Sequence, residues 1–279
     1  FFFYDALMCH VSQRDPKKAE ELYLRALKVN PNHSTNLGNY ALFLQHWKKD
    51  ANTADEMYRK AITQEPDHAN NLANYASFLK NVKNDMDRAE QYYERAVRAA
   101  PNHAANLGNY ATFLFRVRGE HARAQKLFLN SIKLNPKHAN NLCNYASLLK
   151  KVFKRFDEAE SLYKRALLVE ADNPTILSNF ANLLKKKCNS SAHPDELQIK
   201  DLSKAKRLYL RALKADPNHF MAKRNYAIFL RDFPLMRDAR DSKCRHHDLK
   251  VRPVYISDVV PLAPSPRSPV GFQLQTLIE

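Results

Sequence analysis

An asparagine recurs at one position of a repeating pattern: Asn39, Asn74, Asn109, Asn144, Asn179 and Asn225. A carboxamide offers a donor and an acceptor side by side. That pair can hydrogen-bond the C=O and N–H of an extended peptide whatever side chains it carries, so a row of them would grip a chain lengthwise. Ser77, Ser147 and Asn182 add short polar groups on the same stripe, and a basic band follows at Lys80, Arg116, Lys150, Lys151, Lys185, Lys186 and Arg231. Within that band Lys80, Arg116, Lys151 and Lys186 are expected to read carboxylates or phosphates on the bound segment. Two plainer readings stand beside these. Duplication, or the average preference of the repeat, would also leave asparagine at one site, and Lys and Arg suit the negative end of any helix. Against simple copying, another exposed position has diverged to Glu21, Glu56, Gln91, Lys126, Ser161 and Arg207.

The other reactive residues do not assemble a chemistry. His33, His68, His103, His138 and His219 come one per repeat, whereas a metal needs three or four converging ligands. Packing at helix starts accounts for them. Cys244-Arg245-His246-His247 has no partner cluster, and Asp87, Glu90 and Glu94 fall at helical spacing as solvated charge. No nucleophile–base pair, paired carboxylates or glycine-rich phosphate loop is present, so neither enzyme activity nor cofactor is expected. Asn32-His33-Ser34 and Asn189-Ser190-Ser191 fit the glycosylation pattern, and Ser265-Pro266 and Ser268-Pro269 fit that of a proline-directed kinase.

The elements that must position the asparagines follow from the repeat. Asn-Tyr-Ala-x-x-Leu stands at 39–44, 74–79, 109–114 and 144–149, and Asn179-Phe180-Ala181 and Asn225-Tyr226-Ala227 continue it. Ala41, Ala76, Ala111, Ala146 and Ala181 are 35 residues apart. The longer step to Ala227 places an insertion within 186–200, read as an exposed loop holding Lys185-Lys186-Lys187 and Asn189 to Pro194. A second phrase keeps the beat as Ala19/Tyr23/Ala26, Ala54/Tyr58/Ala61, Ala89/Tyr93/Ala96, Ala124/Phe128/Ser131, Ala159/Tyr163/Ala166 and Ala205/Tyr209/Ala212. Each unit therefore reads as two amphipathic helices: Leu72, Tyr75, Ala76 and Leu79 share one apolar face, and Ala89, Tyr93, Ala96 and Val97 another. Pro31, Pro66, Pro101, Pro136 and Pro217 end the second helices. A single pair cannot bury both faces, so the pairs must stack.

These small, aromatic and proline positions, all in phase over about 17–231, resemble the tetratricopeptide repeat family. Tyr75 and Leu79 exchange the family's usual places, and the period is 35 rather than the usual 34. The extra residue is expected in the turn between the helices. The resemblance implies an all-α solenoid, a right-handed superhelix whose first helices line a concave groove. There the row is similar to the asparagine ladders of the O-GlcNAc transferase superhelix and kinesin light chain, with nothing corresponding to a transferase domain. The solenoid is expected over 1–248, with five full repeats at about 34–217 and partial ones at either end, followed by a disordered Pro-rich tail at 249–279.

Composition narrows the partners. The chain has 279 residues, 44% of them apolar, enough for a packed core, and a net charge of +16 that suits acidic partners. Cys9, Cys143, Cys188 and Cys244 lie far apart, which favours reduced thiols and a cytosolic or nuclear home. No apolar run reaches the roughly 18 residues of a membrane span. Phe1-Phe2-Phe3-Tyr4 is unlike a signal peptide, and as an uncapped apolar edge it suggests further chain upstream. The expected function is non-enzymatic binding of an extended, acidic segment of another protein. The alternatives are nucleic-acid binding by a basic solenoid, and passive scaffolding.

Overall fold

The computed structural model of the chain describes residues 15–188 and 195–237. Among the described residues there are twelve α-helices and no strand. They are α1 (Pro16–Val29), α2 (Ser34–Phe43), α3 (Ala51–Gln64), α4 (Ala69–Phe78), α5 (Met86–Ala99), α6 (Ala104–Phe113), α7 (His121–Leu134), α8 (Ala139–Leu148), α9 (Phe156–Val169), α10 (Pro174–Lys187), α11 (Glu196–Ala215) and α12 (Phe220–Asp232). Even numbers are the first helices of the repeat and odd numbers the second. Each first helix from α2 to α10 packs on the second helix of its own unit and on that of the unit before. Successive first helices from α2 to α10 also touch one another, while successive second helices approach less closely. The first helices therefore form the inner side of the stack.

The periodic residues make the core. Ala19, Ala54, Ala89, Ala124, Ala159 and Ala205 are fully buried, as are Tyr23, Tyr58, Phe128, Tyr163 and Tyr209. In each unit the second-helix ring meets one or two rings of the following first helix. Tyr58 lies 5.6 Å from Tyr75 and 5.5 Å from Phe78, and Tyr209 lies 5.7 Å from Tyr226 and 5.4 Å from Phe229. Such tilted pairs add about 0.5–1.5 kcal/mol each beyond the area they bury. The exchanged tyrosine also has its own partners. Tyr75 Oη accepts from Arg59 and Arg88 and donates to Asp55 at 2.9 Å.

Helix starts are capped by side chains. Asp15, Asp50 and Asp85 accept the N3 amides of α1, α3 and α5. His33, His68, His103 and His138 cap α2, α4, α6 and α8, each Nδ1 accepting the N3 amide at 3.3–3.4 Å. His219 Nδ1 accepts from the Ala222 amide at 3.1 Å, and Asn173 caps α10. The histidines are thus helix caps, in every unit but that of α10.

The 35th residue is absorbed within the end of the first helix itself. Leu44–Lys48, Leu79–Lys83, Leu114–Arg118 and Leu149–Phe153 are single π-helical turns, each the wide turn that an added residue produces. A left-handed residue follows each one, at Lys49, Asn84, Gly119 and Lys154. The next amide then reaches back six residues, as Asp50 N–H to Leu44 O at 3.2 Å, closing the helix end.

The insertion is also less of a loop than expected. Lys185, Lys186 and Lys187 are the last turn of α10, because buried Leu183, Leu184 and Cys188 keep the helical register through them. Glu196 to Lys200 belong to the 20-residue α11, started by a capping box at Asp195 and Gln198. Contacts group Phe1–Phe229 as one unit and Leu230–Glu279 as another. The described part of the second ends in a 3-10 turn at Pro234–Met236, where Arg237 Nε donates to Leu230 O at 3.0 Å. Phe1–Phe3, Cys9, Asn189–Pro194, the 244–247 cluster and the 249–279 tail with its Ser-Pro pairs lie outside the described residues.

Candidate functional site

The six asparagines stand on α2, α4, α6, α8, α10 and α12, the inner helices, and none is fully buried. They divide by what the preceding unit offers them. Asn179 Nδ2 donates to Cys143 Sγ at 3.5 Å, and Asn225 Nδ2 donates to Ser178 Oγ at 3.1 Å. Cys143 and Ser178 each precede a row asparagine, and the equivalent residues in earlier units are Gly38, Ala73 and Gly108. With no acceptor there, Asn74 and Asn109 are left open, and so is Asn39: among the described residues, their side chains make no hydrogen bond. Asn144 is intermediate, its Oδ1 accepting from Arg116 Nη2 at 3.4 Å.

The short polar residues have a different job. Ser147 is 3% exposed and shares a 2.9 Å hydrogen bond with the Tyr163 hydroxyl, so the structure removes it from any ligand-facing surface. Asn182 accepts from Tyr209 Oη at 2.8 Å, and Ser77 accepts from Asn81 Nδ2 at 3.1 Å. A buried hydroxyl must be satisfied, and this position supplies the partner. Where the second helix carries Phe128 instead, Thr112 turns to the Gly108 carbonyl at 2.8 Å.

A second asparagine series, three residues before the row, carries no ligand role. Asn36, Asn71, Asn106 and Asn141 are buried. Asn71 Nδ2 donates to Ser34 Oγ at 2.7 Å and to Ser34 O at 3.1 Å, and Asn141 Nδ2 donates to Ala104 O at 2.9 Å and to Ser131 Oγ. Gly38 and Gly108 leave room for two of them, since a Cβ there would lie 2.0 Å and 2.1 Å from the Asn71 and Asn141 carboxamide oxygens and the carboxamides would have to shift. Both series share the 35-residue beat, so spacing alone does not separate them.

The cations form a continuous row. Lys80 is repelled by Arg116, Arg116 acts on Lys151, and Lys151 acts on Lys186, one per successive unit. Burial first, and then neighbouring cations, lower the pKa of each lysine in the row; at Lys186 the neighbour that matters most is Lys154, followed by Lys151. Lys150 lies deeper, 6% exposed, with Nζ 3.4 Å from Asn179 O and 5.9 Å from the centre of the Tyr163 ring. Burial first, then Lys151, Lys186 and Arg116, bring its ammonium down to about 8, with Cys143 opposing. Among the described residues no carboxylate lies within 4 Å of any of these five cations.

Carboxylates are spent elsewhere, on the second-helix side. Lys48 pairs with Glu20 at 3.0 Å, Arg118 with Asp87 and Glu90 at 2.7 Å, and Lys187 with Asp157 at 3.0 Å and Glu160 at 3.2 Å. Burial works to raise Glu160, but Lys164, Lys187 and Lys204 outweigh it and hold the carboxyl at about 2. The same last turn thus sends one basic residue outward to a partner and leaves another without one.

Two family models match the chain. A tetratricopeptide repeat model covers residues 2–33, and the middle TPR-like domain of cilia and flagella-associated protein 70 covers 77–178. Residues 2–33 and 77–178 thus match tetratricopeptide or tetratricopeptide-like repeat models. Solved structures with the tetratricopeptide fold agree. A structure of PilF from Pseudomonas aeruginosa is similar at 20% identity, TM-score 0.60, over 81% of this chain and 96% of that one. A thermophilic tetratricopeptide repeat protein of Thermus thermophilus aligns at 20% identity, TM-score 0.56, over 71% and 98%. Yeast Tom70 aligns at 18% identity, TM-score 0.60, over 83% of this chain and 46% of its own length. At such identities the likeness is one of fold. No curated protein matches the chain at a significant level. No helix among the described residues is long and apolar enough to cross a membrane.

Proposed function

We propose that the chain is a non-enzymatic interaction module of the cytosol or nucleus whose inner face binds an extended, acidic segment of a partner protein. Tetratricopeptide repeats serve generally as protein–protein interaction modules, and the fold supports that much of the reading. The observation that carries the rest is the row Lys80, Arg116, Lys151 and Lys186, left without carboxylates while Arg118 and Lys187, close by in sequence to two of them, are paired. Adjacent like charges repel, and an acidic segment lying along them would relieve that repulsion. Asn39, Asn74 and Asn109 are open to hold its backbone; Asn144, Asn179 and Asn225 would exchange a present bond for a new one. Nucleic acid would satisfy the charge equally. The repeat aromatics, however, are buried in the core, and stacking on bases requires them exposed.

The test is fluorescence anisotropy with a labelled Glu-rich peptide and the triple variant Asn39→Ala, Asn74→Ala, Asn109→Ala. At roughly 1 kcal/mol for a net hydrogen bond, affinity should fall by about tenfold or more, with the circular dichroism melt preserved because none of the three packs in the core. Unchanged affinity would overturn the backbone-gripping role. Preference for single-stranded RNA over the peptide at equal salt would overturn the assignment of the partner class.

A further inference from the structure

We propose that Arg116, Lys150, Lys151 and Asn144 form a seat for the phosphate group of a phosphorylated side chain on the bound segment, an inference that rests on the groove reading above. Arg116 Nη2 lies 3.4 Å from Asn144 Oδ1 on α8, the helix that leads into Lys150 and Lys151, and the three cations act electrostatically on one another in all three pairings. They come from the ends of α6 and α8, successive inner helices, and Lys186 from α10 closes in on the same two lysines. Asn144 gives its carbonyl to Arg116, which leaves its N–H₂ as the open end. Every group left available in the cluster is a donor. Lys150 is held under this surface by the Asn179 carbonyl and the Tyr163 ring, with the Cys143 thiol nearby.

A buried ammonium without a counter-ion, flanked by two more cations, is costly unless a ligand supplies charge. One carboxylate would offset one of the three cations. A phosphate monoester brings about −1.5 to −2 charge and three acceptor oxygens at neutral pH, and short charge-assisted bonds to guanidinium and ammonium suit it. The units of Lys80 and Arg116 present a single such cation, which suits ordinary acidic side chains. Lys150-Lys151 adds a second, and with Arg116 beside them the three charges suit one phosphate.

N-acetyl-phosphoserine amide, N-acetyl-glutamate amide and inorganic phosphate would be titrated into the ¹⁵N-labelled full chain by NMR, alongside Lys150→Met, Arg116→Gln and the outward control Lys126→Gln. Phosphoserine amide should bind about tenfold or more tightly than glutamate amide, and that advantage should disappear in Lys150→Met and Arg116→Gln but persist in Lys126→Gln. Lys150→Met keeps the buried stem, so retained folding is verified by its melt. Equal affinity for the two amides, phosphoserine binding indifferent to both site variants, or no phosphoserine-dependent shift would each overturn the seat. Inorganic phosphate binding as tightly as phosphoserine amide would overturn its assignment to a peptide side chain. The groove reading is judged separately, by the Glu-rich peptide and the triple asparagine variant. Binding of that peptide lost on the triple substitution would leave the groove standing even if the seat fails.

Discussion

At the scale of single residues, Lys150 is where stability and binding conflict. Its folded-state pKa of about 8 against an ordinary 10.5 corresponds to roughly 3 kcal/mol of disfavoured charge. At pH 7 the ammonium is protonated whether the chain is folded or not, so the folded state alone bears this penalty. Between about pH 8 and 10.5 the unfolded chain keeps a proton that the native one has released, and stability rises with pH there. Lys150→Met should therefore raise unfolding free energy by about 1–3 kcal/mol at pH 7, and the gap between variant and wild type should narrow from about pH 8 towards 10. Urea titrations at several pH values would read both, and a variant no more stable than wild type would contradict the account. Sequence reasoning places Lys150 in the basic band without showing that it lies under Lys151, because two adjacent lysines differ only by what the neighbouring helices bring over them. Ser147 is misplaced for the same reason: a helical wheel gives its angle but not the Tyr163 hydroxyl that approaches from α9.

At the scale of elements, the alanine–tyrosine beat determines the helix pairs and their order, since small residues at fixed places require close backbones. It does not reveal the π turns, because a period of 35 says only that one residue is added to each unit. Nor does it reveal that α10 runs through Lys187, where a lysine triplet beside a polar run resembles a loop until Leu183, Leu184 and Cys188 are seen holding the register. The histidine caps test how far a single element depends on its first residue. His103 accepts the Asn106 amide at 3.3 Å, while Asn173 does the equivalent work for α10 at 3.2 Å. Removing a cap costs about 0.5–2 kcal/mol, and asparagine is among the best caps. His103→Ala should thus lower the thermal midpoint by several degrees and His103→Asn should restore most of the loss. Equal destabilisation by both substitutions would show that the imidazole matters by packing, not by capping.

At the scale of the molecule, the excess charge is sorted by side, and that sorting predicts a salt response of two opposite signs. The cations near the second helices are neutralised by Glu20, Asp87, Glu90, Asp157 and Glu160, and the inner row is not. Packed helices lie roughly 8–10 Å apart, comparable to the Debye length of about 8 Å at physiological ionic strength and well beyond the roughly 3 Å at 1 M. Raising NaCl from about 0.1 M to about 1 M should therefore quench repulsion along the row more completely than it weakens the outward pairs, which sit at 2.7–3.2 Å. The free chain should melt several degrees higher in high salt, by a gain on the order of 1 kcal/mol, while its affinity for a Glu-rich peptide falls. Replacing Lys80, Arg116, Lys151 and Lys186 together by glutamine should remove both responses at once, raising the low-salt midpoint and abolishing the salt-sensitive part of binding. Chloride is the proper anion for this measurement, because sulfate also strengthens apolar burial. A quadruple variant that still gains stability with salt would show that the repulsion resides in the whole +16 charge. The row would then have no special claim on an acidic partner.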